Sequence, residues 1–300
     1  MFDLKIGFRC NNNCIHCVVA NKRESGSLSI LQINNLIRSI PDGEREIQIT
    51  GGEPSIHKYL PLILKTCKER NLRVYLQTNA TGFVNREFAE QCAPYIYNAH
   101  VAIHSINPEI HNKIVQDKTG TMWSKTMEGL KNLKDLGVCV TTQTVLSKYN
   151  IESVPETFKA IQELYPGTFM SFTYPHLMGN AFKNREDICF RYSDYKHIIQ
   201  EVVSTYKGLL FTESIPLCYL HPYVEEVSCI EKDLLNPWVV RDGIDFADGF
   251  GSKNYQELDL KGRAKIPTCK ECIYNNRCVG VWKEYIQLYK NRIDLFPIRN

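Results

Sequence analysis

Over residues 2–175 the apolar and polar positions fall into two alternating periods. Short apolar runs rich in β-branched and aromatic residues, at 3–8, 46–50, 72–78, 96–103, 138–145 and 168–174, read as strands. Between them, 29–40, 57–70, 85–92, 123–136 and 152–164 have the three-to-four-residue spacing of helices with one polar side. Strand, crossover helix and strand in succession cross over right-handed and build a parallel sheet covered by helices. The expected fold class is therefore α/β with six parallel strands. Chemistry in such a sheet belongs at the carboxyl ends of the strands, whether the sheet stays open or curves into a barrel.

Past residue 175 the rhythm stops. The stretch NAFKNREDICFRYSDY is polar and irregular, 191–207 reads as a helix, and 216–280 is rich in Pro, Gly and Cys. This divides the chain into 1–207 and a second module, 208–300.

Composition narrows the class. With 300 residues and 43% hydrophobic content the chain buries a large core and is not disordered. Its 36 basic and 33 acidic residues leave a net charge of +3, too balanced for a dedicated nucleic-acid binder. The opening MFDLKIGFRC lacks the features of a signal peptide, and no apolar run reaches the roughly 18 residues of a membrane span. A cytoplasmic protein is expected, and its 12 cysteines, in clustered spacings, read as metal thiolates rather than disulfides.

Cys10, Cys14 and Cys17, in RCNNNCIHC, sit on one loop directly after the first strand. Three soft ligands suit an iron–sulfur cluster, and holding four irons with three thiolates leaves one iron open to a small molecule. The alternative is a zinc knuckle, with His16 the nearest fourth ligand. Gly51-Gly52-Glu53-Pro54 follows the second strand: glycines admit close backbone approach, and a carboxylate accepts charge-assisted bonds from an ammonium.

Together, C-x-x-x-C-x-x-C after the first strand and GGEP after the second resemble the signature of the radical S-adenosylmethionine (SAM) superfamily, over about residues 3–180. The resemblance implies a partial (βα)6 TIM-like barrel, a [4Fe-4S] cluster on Cys10, Cys14 and Cys17, and SAM chelating its open iron. It assigns the SAM amino group to Gly51, Gly52 and Glu53, and the carboxylate and ribose to Thr78, Asn79 and Ser105. Gln143 falls near the ribose, His176-Leu177-Met178 near the adenine, and His16 is an adenine neighbour rather than a ligand.

A second cysteine group, Cys269, Cys272 and Cys278, forms C-x2-C-x5-C, with Cys218 and Cys229 upstream. It resembles the SPASM and twitch auxiliary-cluster extensions of the same superfamily, over roughly 208–290. Position 282 is Trp where a full SPASM module has another cysteine, so the resemblance implies one auxiliary Fe–S cluster, of [4Fe-4S] type, on Cys218, Cys269, Cys272 and Cys278. Cys229 is then spare or a substitute, and a structural zinc site is the alternative.

Cys67, Cys92 and Cys139 read as small buried hydrophobes and Cys189 as ambiguous. Tyr174, Tyr192, Tyr195, Tyr206, Phe211, Tyr219 and Tyr223 are core or cavity aromatics, and His104, His111 and His176 have no assigned role.

The implied activity is reductive cleavage of SAM to a 5'-deoxyadenosyl radical that abstracts hydrogen from a substrate carbon, an oxidoreductase-type chemistry. The leading substrate is a ribosomally synthesised peptide, and a one-electron donor such as flavodoxin or ferredoxin is a further partner. No peptide-recognition domain is expected ahead of the first strand, so a separate leader-peptide-binding protein would supply that function. The alternatives are twitch-type oxidation of a small amino-sugar alcohol and a non-catalytic zinc protein.

Overall fold

The computed structural model describes residues 1–229, 242–248 and 253–299. Six strands run in chain order through the sheet: β1 Phe2–Gly7, β2 Glu46–Gly51, β3 Arg73–Thr78, β4 Ile96–Ala102, β5 Cys139–Val145 and β6 Phe169–Thr173. Each is parallel to the next. The crossovers are α1 Ile30–Ser39, α2 Leu60–Glu69, α3 Arg86–Cys92, α4 Pro108–Val115, α5 Met122–Asp135 and α6 Val154–Leu164. α4 lacked a sequence expectation, although Asn107 caps it through Glu109 and Ile110 and Pro108 opens its first turn.

The sheet does not end at β6. β7 Leu210–Glu213 and β8 Ser228–Cys229 continue it in parallel, while β9 Asp242–Ile244 joins the far edge beside β1, with β10 Lys253–Asn254 antiparallel to it. These strands of two to four residues carry too little pattern to be seen in sequence, so the expected boundary near 208 does not coincide with an edge of the sheet. A separate hairpin pairs β11 Arg263–Ala264 with β12 Val281–Trp282.

Strand alternation sorts the side chains into two environments. Leu4, Ile6, Ile47, Ile49, Val74, Leu76, Val101, Val140 and Phe172 are buried with Ile33, Ile37, Leu64, Leu130 and Phe158 of the helices. The intervening positions Asp3, Lys5, Thr50, Gln77, His100, Gln143 and Glu213 line a cavity on the other face. The lumen is therefore polar, unlike the apolar interior of a closed eight-stranded barrel. Among the described residues no helix is long and apolar enough to cross a membrane.

Cys67 and Cys92 are buried as expected, and Cys189 is buried with its thiol pushed up to about 11 by that burial. Cys139 corrects its expectation: it opens β5, is exposed, and its Sγ accepts from Asn98 Nδ2 at 3.3 Å. The next three residues of β5, Val140, Thr141 and Thr142, are buried, so the exposure is confined to the strand's first position.

Phe158 is fully buried between Phe172 of β6 and Tyr206, with ring centroids at 6.3 and 5.9 Å. Phe158→Ala is expected to lower the free energy of unfolding by about 3–5 kcal/mol, measured by urea titration.

Candidate active site and metal centres

The chain leaving β1 and the chain leaving β2 are joined backbone to backbone. Gly52 N donates to Gly7 O at 2.7 Å and Glu53 N to Arg9 O at 2.9 Å. A Cβ on Gly51, whose φ is +134°, would stand 2.0 Å from Gly7 O, and one on Gly52 2.2 Å from Arg9 O. The two glycines thus admit the cysteine loop's own backbone, which places Cys10 beside Glu53 at the mouth of the lumen.

Cys10, Cys14 and Cys17 are half-buried and line one cavity of about 410 Å³. Their carbonyls are occupied on the protein side: Asn180 N donates to Cys17 O, Asn180 Nδ2 to Cys14 O and Asn184 Nδ2 to Ile15 O, at 2.9 to 3.0 Å. Asn13 N and Ile15 N bond to Val115 O and Ile114 O at the end of α4. The backbone is thereby pinned to two helices, while the three thiols face the cavity. Burial and then nearby Glu53 push the Cys10 thiol up to about 11, and burial, Cys10 and Cys17 push Cys14 up further. Thiols that oppose one another's ionisation fit a site in which a bound cation supplies the compensating charge.

Glu53 is buried and accepts from Ser55 N at 2.8 Å, Thr78 Oγ1 at 2.5 Å and Asn79 N at 2.5 Å. Burial raises its pKa, against those donors. Asn79 Nδ2 donates to Asn11 Oδ1 at 2.9 Å, tying β3 to the cysteine loop. Glu53, Thr78, Asn79, Gly51, Gly52, Gln143, His16 and His176 all line the cavity. Ser105 and Met178 are not among its lining residues. Ser105 Oγ lies against Ser153 Oγ at 3.2 Å and accepts from Asn107 N, as a turn residue ahead of α4, whereas Met178 is 47% exposed.

His16 packs edge-on against His104, centroids 4.5 Å apart, and His104 stacks on His111 at 5.6 Å. Burial holds all three neutral, with His16 and His111 lowered to about 4. Cys14, His16 and His104 form the only group of three metal-competent side chains among the described residues whose donor atoms lie within 4.8 Å of one another. His104 Nδ1 accepts from Val145 N at 3.4 Å, so that ring nitrogen is already engaged by the backbone of β5.

Cys218, Cys269, Cys272 and Cys278 converge on a second, small cavity of about 30 Å³ with Pro216, Leu295 and Phe296, while Cys229, in β8, is not part of its lining. Gly280 N donates to Cys278 Sγ at 3.3 Å and Ile298 N to Cys272 Sγ at 3.4 Å. Burial, then Cys278, Cys272 and Cys269, raise the Cys218 thiol. No three of these sulfurs lie within 4.8 Å of one another.

Sequence reasoning missed several lining residues of the first cavity. Asp3 and Lys5 were marked only by strand alternation, and Tyr255, Asp259 and Trp282 arrive from the C-terminal segment with no local signal. Of the aromatic series Tyr174 lines the cavity, whereas Tyr192 and Tyr219 are core.

Replacing Gly52 by Ala sets a Cβ against Arg9 O and is expected to displace the cysteine loop, which lowers the iron bound per chain after anaerobic reconstitution.

The family model of the Radical SAM superfamily matches residues 4–161. Putative protein YfkA of Bacillus subtilis is 27% identical over 189 residues, 54% of this chain and 50% of that protein. Fe-coproporphyrin III synthase of Methanosarcina barkeri is 26% identical over 158 residues, 52% of this chain and 39% of that protein. The chain thus spans about half the length, or less, of these relatives. Among solved structures, anSMEcpe with bound AdoMet superposes at TM-score 0.67 and 14% identity, over 100% of this chain and 93% of that one. Streptococcus suis SuiB bound to its precursor peptide SuiA gives 0.67 at 17%, over 99% and 74%. These structures share the fold, and with the family model spanning more than half of its residues the chain belongs to the radical SAM superfamily.

Proposed function

We propose that the chain cleaves S-adenosylmethionine reductively and modifies a side chain of a ribosomally made peptide. One observation carries the reading: three thiols on one loop, the Gly51–Glu53 segment and Thr78–Asn79 line one cavity with a polar wall. Cys10, Cys14 and Cys17 would hold a four-iron cluster, and Cys218, Cys269, Cys272 and Cys278 a second. The first cluster, when bound, supplies the electron that splits SAM into methionine and a 5'-deoxyadenosyl radical, which takes hydrogen from a substrate carbon.

The chain's own residues bind and orient. Glu53, with three donors placed, keeps acceptor capacity for the SAM ammonium, and its cross-link to Thr78 and Asn79 holds that capacity still. Neutral His16 offers an uncharged edge beside the adenine, and Gln143 reaches the ribose from the lumen. The peptide assignment draws support from a likeness to SuiB, solved with a precursor peptide, that extends over the cysteine-rich C-terminal segment. A one-electron donor such as flavodoxin or ferredoxin, a separate leader-binding protein and a cytoplasmic location complete the proposal.

Two four-residue paths connect the cavities, Ser214 to Cys218 and Trp282 to Cys278. Each spans at most about 14 Å of extended chain. That proximity supports a second cluster able to accept an electron from a substrate radical.

Anaerobic reconstitution is expected to give about eight irons per chain, four at each site. With dithionite and SAM the protein should form 5'-deoxyadenosine, and a peptide encoded beside its gene should change mass. Cys14→Ala should retain about half the iron and lose 5'-deoxyadenosine, while Cys269→Ala should also retain about half yet still cleave SAM. Stoichiometric zinc without iron or cleavage would overturn the reading.

A further inference from the structure

Part of the cavity wall is built from the ends of β6 and β7 and from the C-terminal segment: His176, Glu213, Ser214, Tyr255, Asp259 and Trp282. None of these belongs to the thiol sites. Two of them carry polar groups that the protein leaves unmatched.

The first is the Glu213 carboxylate. Asp3 pairs with Lys5 at 2.7 Å and accepts from Gln48 at 2.8 Å, Glu53 has its three donors, and Asp259 is also engaged. Among the described residues Glu213 is the cavity carboxylate without a hydrogen-bond or ion-pair partner. Its backbone is firmly placed: it pairs with Thr173 of β6, and its carbonyl accepts from Tyr174 N at 3.1 Å. The next residue, Ser214, takes φ +64°, a left-handed conformation unusual for a side-chain-bearing residue. Its carbonyl accepts from Tyr192 Oη at 2.5 Å and its Oγ from Arg263 at 3.2 Å. Strain retained by such bonds next to a cavity is characteristic of functional positions.

The second is the Trp282 indole N–H, on a residue 4% exposed, buried with no acceptor. The groups that cover the ring fix its direction. His176 lies parallel on it with centroids 3.7 Å apart, and the Arg263 guanidinium sits 3.7 Å from the centroid, so the two occupy opposite faces. The Cε3–Cζ3 edge abuts Gly262, where a Cβ would come within 2.9 Å. The edge that bears Nε1 is covered by none of these three groups. His176 is held neutral, lowered to about 4 by burial and by Arg263, so the positive charge beside the indole is that of Arg263, which is engaged by the ring face and by Ser214 Oγ.

We propose that Glu213 and Trp282 form a substrate subsite that takes a basic side chain on the carboxylate and an adjoining carbonyl oxygen on the indole N–H, as a Lys or Arg residue of a peptide presents them. The carbonyl half rests on the peptide reading above; the cationic half does not.

The test uses the reconstituted protein with SAM and ligand-observed NMR titrations of Nα-acetyl-lysine methylamide, its norleucine counterpart and n-butylamine. The lysine ligand is expected to bind at least about tenfold tighter than the norleucine ligand, the scale of a hydrogen bond to a charged group. Glu213→Gln should level the two, Glu213→Asp should keep a preference, and Trp282→Phe should weaken both alike. Iron content and circular dichroism check that each variant is folded. Equal binding of lysine and norleucine ligands, or a preference that survives in Glu213→Gln, would overturn the subsite. Butylamine binding as tightly as the lysine ligand would overturn its carbonyl half. The readout needs no turnover, so a lysine preference with an unmodified precursor peptide would remove the peptide reading and leave the cationic site standing.

Discussion

The contact on which the site depends is between two backbones. Gly51 and Gly52 lie so close to Gly7 and Arg9 that no side chain fits between them, and two N–H···O bonds hold them there. Because β1 and β2 are parallel neighbours, their exits emerge side by side; the glycines bring those exits into contact instead of letting them splay. Cys10 is the residue after Arg9 and Glu53 the residue after Gly52, so one contact sets the distance between the first thiol and the carboxylate. The rest of the loop is hung from α4 and from Asn180 and Asn184, and its geometry is fixed before any ligand arrives. Such preorganisation lets binding energy go into orienting a ligand rather than into ordering the loop.

Electrostatics then set what the two cysteine sites accept. Burial alone favours neutral thiols at Cys10, Cys14 and Cys218, and each lies where other thiols make ionisation harder still. In the ionised form these thiols would need the compensating charge of a bound metal. The N–H donors aimed at Cys272 and Cys278 point the same way, since they stabilise electron-rich sulfur. The neutral histidines beside Cys14 leave the first site without competing charge.

The fold and the thiol sites could be read from the chain because their signals are local. Six strands of five to seven residues show their period, and the two motifs begin at or within three residues of strand ends, where chemistry is expected. The edges of the sheet could not: β8 and β10 are two residues long, too short for any alternation, and β9 pairs with β1 across more than two hundred residues of sequence. Ser105 was expected at a strand end on the same argument as Thr78, yet it turns into Ser153 and the start of α4, because a polar residue there serves a turn equally well. Trp282 was noticed only as the absence of a cysteine. Its place in the cavity wall comes from tertiary packing, which no pattern within TCKECIYNNRCVGVW encodes.

That placement makes the C-terminal segment more than a holder for a second metal site. Trp282 is four residues from Cys278, and Arg263, stacked on the same indole, belongs to the partner strand of the hairpin. Ser214 reaches Cys218 by an equally short path, and Arg263 bonds to Ser214 Oγ. The wall of the first cavity is therefore tied to the ligands of the second along both chains. Loss of metal from the second site would disturb the indole, the guanidinium and the turn that presents Glu213 together. Under the proposed function, a defect in product formation after such a loss would have two sources, a missing electron acceptor and a misshapen wall, and substrate affinity separates them: the wall changes binding, whereas the acceptor would change only the steps after hydrogen abstraction.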